Sequence, residues 1–166
     1  DPAKASEAFD ELLKGKNKKN AFLLVEIGRA YLDQGKTAEA AEYAQRAKDI
    51  NSKCAVAYLL SGDIALNLND VNKASSDYNQ AIYLDEDCSE AYFKYAQVYK
   101  GVDPQLSLDM LMRLQSKTPE DNRISKELAD VYYTMGQYGK AKEAYENYLK
   151  VGTPTEQDYT RYAMLL

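Results

Sequence analysis

Apolar and small residues recur along this chain three and four positions apart, the spacing that lays one side of an α-helix against a neighbour. The stripes predict helices over 2–14, 21–33, 37–50, 55–67, 71–84, 89–100, 104–117, 122–135, 138–151 and 156–166. Turn chemistry separates them at Gln34-Gly35, Asn69-Asp70, Gly101-Val102-Asp103-Pro104, Thr118-Pro119, Met135-Gly136 and Gly152-Thr153-Pro154. Asp103 before Pro104 is an N-cap followed by a residue suited to the first helical position. The prediction is helix throughout, joined by short turns.

The helices also repeat. Gly28 returns as Gly62 after 34 residues, Gly62 as Ala96 after 34, Ala96 as Ala129 after 33, and Ala129 as Ala163 after 34. A second small residue keeps step with the first: Ala40, Ala74, Ser107 and Ala141. Two helix backbones approach closely only where no large side chain intervenes, so a small residue held at one phase is a packing requirement. The chain therefore reads as a helical repeat array with units at 21–54, 55–88, 89–121 and 122–155. Residues 1–20 read as the second helix of a partial unit, because Asp1-Pro2-Ala3-Lys4-Ala5 matches Asp103-Pro104-Gln105-Leu106-Ser107. Residues 156–166 read as the first helix of another. The expectation is a single array, 1–166, taken from a longer protein. Its open faces, around Phe9 and Leu12 at one end and Tyr159, Tyr162 and Leu166 at the other, would promote weak self-association.

The 34-residue period, with Tyr58, Gly62, Ala74, Tyr78 and Ala81 in one unit and Leu128-Ala129, Tyr132, Gly136, Tyr138, Ala141 and Tyr145 in another, resembles the tetratricopeptide repeat. Two departures stand out: Ala65 replaces the first-helix tyrosine, and of the closing prolines only Pro119 is present. The resemblance implies an all-α, right-handed superhelix (an α-solenoid) in which first helices line a concave groove and second helices form the back. The clamp of Lys, Arg and Asn that chaperone adaptors of this family use is not matched. The corresponding positions carry Val25, Arg29, Leu60, Glu90 and Lys94.

Chemistry is conspicuous by what is missing. The chain has no histidine, which removes imidazole catalysis and histidine-based metal sites. Its eight glycines are single, so none forms a phosphate-cradling loop. Asp85-Glu86-Asp87 with Glu90 reads as a solvated turn and the start of a helix, not a cation site. Cys54 and Cys88 stand at one phase of consecutive units, farther apart than the ~7 Å that a disulfide spans, and read as free thiols. No enzyme, cofactor or metal is expected. The net charge is −5, with the deficit concentrated in residues 55–88, which argues against nucleic acid. The one basic cluster, Lys14, Lys16, Lys18 and Lys19, reads as a solvated helix end. No apolar run approaches the ~20 residues of a membrane span and no leading segment looks like a signal peptide, so membrane insertion is not expected. The compartment stays open between cytoplasmic and periplasmic or secreted.

Helical offset places Phe22, Val25, Arg29 and Leu32 on the groove face of the first unit, and Val56, Leu59, Asp63 and Leu66 on that of the second. Glu90, Phe93, Gln97 and Lys100 follow in the third, then Arg123, Lys126, Asp130 and Tyr133. The early half is apolar with isolated charges and the later half polar. The expected function is a non-catalytic scaffold that binds a peptide or protein segment at Phe22, Val25, Arg29, Leu32, Val56, Leu59, Asp63, Leu66, Phe93, Gln97, Lys100 and Tyr133. The alternative is a structural spacer or a regulatory array within a larger multidomain protein.

Overall fold

The computed structural model describes residues 7–9 and 11–166. Residues 7–9 and 11–12 are helical, the described part of the helix expected over 2–14; residues 1–6 and 10 lie outside the described residues. A 3-10 turn, Gly15–Lys19, leads into nine α-helices. These are α1 (Ala21–Asp33), α2 (Thr37–Ile50), α3 (Ala55–Asn67), α4 (Val71–Leu84), α5 (Ser89–Tyr99), α6 (Pro104–Lys117), α7 (Asn122–Thr134), α8 (Tyr138–Val151) and α9 (Glu156–Ala163). The boundaries follow the predicted stripes closely, except that α9 stops three residues before the end of the chain.

Local chemistry sets the boundaries. Asn20, Asp70, Asp103 and Asp121 each accept a backbone N–H from the first turn of the helix they precede. The turns inside three of the hairpins share one device. Gly35, Asn69 and Gly136 adopt φ of +73°, +59° and +71°. The next residue then donates its N–H back to the closing turn of the helix, Lys36 to Tyr31 O, Asp70 to Ala65 O and Gln137 to Tyr132 O. The third hairpin is one residue shorter and has no left-handed residue at this point. Asp103 N instead reaches Tyr99 O at 2.8 Å.

Between the second and third repeats the chain falls into two compact units, residues 1–88 and 89–166. In the first unit, α1 pairs with α2 and α3 with α4. Leu24, Ile27, Tyr31, Ala40, Ala44, Ala47, Leu60 and Ile64 share its core with Leu13. Phe9 meets Tyr31 edge-on with ring centres 5.3 Å apart, and Tyr31 stacks on Tyr43 at 5.4 Å. In the second unit, α5 pairs with α6 and α7 with α8, and α9 docks on α8. Ala96, Leu111, Leu114, Ala129, Val131, Ala141 and Tyr145 are buried there.

The repeated small residues sit at the helix contacts, except Ala163, which is exposed at the end of α9. A Cβ added at Gly28 would stand 2.7 Å from Leu60 Cδ2, and one at Gly62 would stand 2.4 Å from Tyr78 Cε1. Ala40, Ala74, Ala96, Ala129 and Ala141 have no exposed surface. Ser107 holds the place of those alanines, and its buried Oγ donates to Ala96 O at 2.7 Å, so the hydroxyl is satisfied. Cys54 and Cys88 are free thiols, as expected.

Gly62 gives the direct test of this packing. Tyr78 is enclosed and cannot swing away from a new Cβ, so Gly62→Ala should cost about 1–3 kcal/mol, and Gly62→Leu should cost more. Circular dichroism melting reads the loss. An unshifted transition in Gly62→Leu would contradict the helix register described here.

Candidate functional site

The first-helix face of the first unit carries eight of the residues expected to bind, and the structure sorts them. Phe22 is 63% exposed, while Val25 and Leu59 are enclosed at 0% and 3%. Val25 belongs to the core, and Val56 and Leu32 pack against that core half-buried. Two residues of the open apolar patch anticipated from Phe22 through Leu66, Val25 and Leu59, are therefore internal, because a first helix buries more than the narrow stripe its small residues mark. Arg29, Leu66 and Asp63 are half-buried. Asp63 accepts the Tyr78 hydroxyl at 2.7 Å, and Arg29 pairs with Glu26 at 3.4 Å on its own helix.

The second unit presents a different face, built from α5, α7 and α9. Gln97 Nε2 and Lys100 Nζ both reach Glu127, at 2.9 and 2.8 Å. Lys100 continues to Asp130 Oδ2 at 3.3 Å. Asp130 Oδ1 also accepts the Tyr145 hydroxyl at 2.5 Å and Arg161 Nη1 at 2.8 Å. One carboxylate on α7 thus ties together α5, α8 and α9. Arg123 lies over the Phe93 ring, 4.6 Å from its centre, and is held by Asp121 at 2.8 Å and Glu90 at 3.2 Å. Phe93 is consequently 7% exposed, covered by a guanidinium instead of awaiting a ligand. Burial lowers the Lys100 pKa, but hydrogen bonds and charge from Glu127 and Asp130 outweigh it and the net shift is upward. Burial and the Asp130 carboxylate together push the Tyr145 hydroxyl well above its usual range. Lys100 therefore stays protonated and Tyr145 neutral near pH 7.

Two clefts open on this face. One, of about 410 Å³, is lined by Lys100, Asp130, Tyr133, Thr134, Tyr145, Arg161 and Met164. The other, of about 420 Å³, runs from Phe93 and Gln97 past Arg123 and Lys126 to Tyr148 and Thr153. Tyr133 is 45% exposed, and it meets Tyr138 edge-on at 5.4 Å. Of the residues expected to bind, Lys100 and Tyr133 line the first cleft, and Phe93 and Gln97 line the second. The sequence reading missed Glu127, Tyr145, Asp158 and Arg161. A signal for one pair was present: Asp63–Tyr78 and Asp130–Tyr145 have the same 15-residue spacing at the same repeat phase.

Asp158 anchors α9. It is 1% exposed and accepts Lys126 Nζ at 2.8 Å, the Thr155 N–H and hydroxyl at 2.8 Å each, and the Tyr148 hydroxyl at 3.3 Å. Thr155 and Asp158 complete a capping box. Burial would raise the Asp158 pKa, yet the donors from Lys126 and Thr155 outweigh it and hold the carboxyl down at about 2.

Profiles of the tetratricopeptide repeat match residues 55–88 and 127–151, and a further tetratricopeptide repeat profile matches residues 1–53. No curated protein matches the chain significantly. Among solved structures, PilF of Pseudomonas aeruginosa superposes with a TM-score of 0.82 at 22% identity, covering 92% of this chain and 70% of that one. MamA of Desulfovibrio magneticus gives 0.77 at 19% identity, covering 87% of this chain and 82% of its own. A thermophilic tetratricopeptide repeat protein of Thermus thermophilus gives 0.75 at 18% identity, with 95% and 86% covered. At these identities the likeness is one of fold.

Asp158 yields a pH-dependent prediction. Its folded pKa of about 2 lies below the ordinary 3.8, so its contribution is complete above about pH 4 and disappears as pH falls toward 2. A depression of that size corresponds to about 2 kcal/mol. Urea unfolding should find Asp158→Asn destabilised by that order at pH 7, with the gap to the unmodified chain narrowing between pH 4 and pH 3. A gap independent of pH would show that the carboxylate charge is not what holds α9.

Proposed function

Because this chain belongs to the tetratricopeptide repeat family, we propose that it is a non-catalytic scaffold that holds a peptide or protein segment against the faces of its first helices. The observation that carries this reading is the pair of clefts on α5, α7 and α9. Each is large enough for one or two side chains, is open to solvent, and is edged by both charged and aromatic groups. Lys100 and Arg161 retain N–H donors beyond those given to Glu127 and Asp130, so backbone carbonyls or acidic groups of a segment can be met without breaking the existing pairs. Tyr133 and Met164 supply the apolar rim. On the first unit, Phe22, Arg29, Asp63 and the outward edges of Leu32, Val56 and Leu66 offer the surface that Val25 and Leu59 do not.

Weak self-association remains part of the proposal. Leu12 at one end and Tyr159, Met164 and Leu166 at the other are about half exposed or more. Tyr162 is drawn partly inward by its hydroxyl bond to Glu146 at 2.9 Å.

A photo-crosslinking residue placed at Gln97 or Tyr133 tests the face directly when the protein is expressed in its own host. Both positions should give partner adducts, and the same residue at Asn147, exposed on α8, should give none. Adducts from Asn147 alone would move binding to the second helices and remove the reading.

A further inference from the structure

We propose that a cleft at the start of α1 is a docking site for an acidic segment of another protein chain that carries one aromatic or large aliphatic side chain among its acids. The cleft measures about 450 Å³ and is lined by Asn17, Lys19, Asn20, Phe22, Ile50 and Asn51, together with Ala21. Phe22 and Ile50 form its apolar walls, 63% and 41% exposed, so two large hydrophobic side chains face water at one spot. Exposed apolar surface edged by polar groups marks a place where something docks.

Charge indicates the occupant. Lys18 and Lys19 on the 3-10 turn are exposed, and no carboxylate pairs with either among the described residues. Lys14, on the same stretch, is already paired with Glu11. Asp49, beside Ile50, accepts a hydrogen bond from Gln45 at 2.8 Å on its own helix. An acidic segment therefore finds Lys19 lining the cleft and Lys18 next to it in the chain, both without a carboxylate partner among the described residues, in a protein whose net charge is −5. The asparagines supply the third element. Asn20 Oδ1 caps Leu23 N and Asn51 Oδ1 caps Lys53 N. Each oxygen is thus engaged while the amide N–H groups remain to meet the carbonyls of a bound backbone. An anionic membrane fits less well. A single exposed phenylalanine with two lysines is a marginal anchor for a lipid surface.

The site shares Phe22 with the first-unit surface above but no residue of α5, α7 or α9, and the crosslinking positions Gln97 and Tyr133 lie on α5 and α7, so the two tests fail separately. The probes are fluorescein-labelled pentapeptides with two glutamates on each side of a central phenylalanine or a central alanine. Anisotropy at low salt should show the phenylalanine peptide binding at least tenfold tighter than the alanine peptide. Phe22→Ser and the double variant Lys18→Gln, Lys19→Gln should each weaken it about tenfold. Both variants should melt like the unmodified chain, because the altered side chains are exposed, and a variant that melts earlier is replaced by Ile50→Ser with the same expected loss. Equal affinity for both peptides would overturn the proposal, as would binding insensitive to Phe22→Ser or to the lysine pair. So would retention on phosphatidylserine vesicles that depends on Phe22 and the lysines without peptide binding, since the site would then belong to a lipid surface.

Discussion

Everything in this fold depends on how close two helices of a hairpin can come. At Gly62 the ring of Tyr78 occupies the space a Cβ would need, and at Gly28 an added Cβ would stand 3.2 Å from Tyr43 Cβ of the partner helix. The close approach lets a tyrosine from the second helix lie flat across the first and still reach outward with its hydroxyl. Tyr78 and Tyr145 use that reach to meet Asp63 and Asp130. Each buried ring thus delivers a polar tip to a carboxylate on the first helix, where it would otherwise be an unsatisfied hydroxyl. The packing rule that builds the hairpin also fixes which carboxylates are held still on its working face.

The two units use this rule with different chemistry between successive first helices. In the first unit, α1 meets α3 through Gly28 and Leu60, an apolar contact that leaves little on the outer surface except Phe22. In the second, α7 is joined to α5 by Lys100, Glu127, Gln97 and Arg123, and to α9 by the crossed pairs Lys126–Asp158 and Arg161–Asp130. Apart from the enclosed Asp158, these carboxylates and cations are partly solvated, so each such pair contributes modestly. Their collective effect is to fix the positions of charges. A face of fixed charges discriminates between partners more than it holds them.

The helices were legible in the sequence because the small residues at Gly28, Gly62, Ala96 and Ala129 mark a phase that nothing but helix packing requires. The turns were legible for the same local reason, including the missing residue near Asp103. The face was less so. Helical offset placed Gln97, Lys100 and Tyr133 correctly on a surface with clefts, because the offset of a polar residue on an amphipathic helix points outward. It failed for Val25, Leu59 and Phe93, since an apolar residue just off the packing stripe can be covered by a neighbour that the sequence does not identify. In the case of Phe93 that neighbour is Arg123, thirty residues away and anchored by Glu90 and Asp121. Long-range ion pairs of this kind leave no periodic trace, which is why Arg161 and Asp158 went unseen.

A saturated face constrains what it can bind. Asp130 already accepts three donors and Glu127 two, so a ligand that sought those carboxylates would have to displace Lys100, Arg161 or Tyr145 and leave a partly buried charge exposed to loss of its partner. The groups with capacity to spare are the outward N–H donors of Lys100 and Arg161 and the apolar edges of Tyr133 and Met164. The affinity of a segment lying there would come from covering those edges, at about 25 cal/mol per Å² before ordering costs. Its direction and register would come from the cations. A related division, apolar walls beside a lysine that has no carboxylate partner among the described residues, occurs at Phe22 and Lys19 on a separate part of the chain. In both places the carboxylates nearby are engaged in structural bonds while cations keep N–H donors to spare, so partners bound at either place would be met through the positive groups of a chain that is acidic overall.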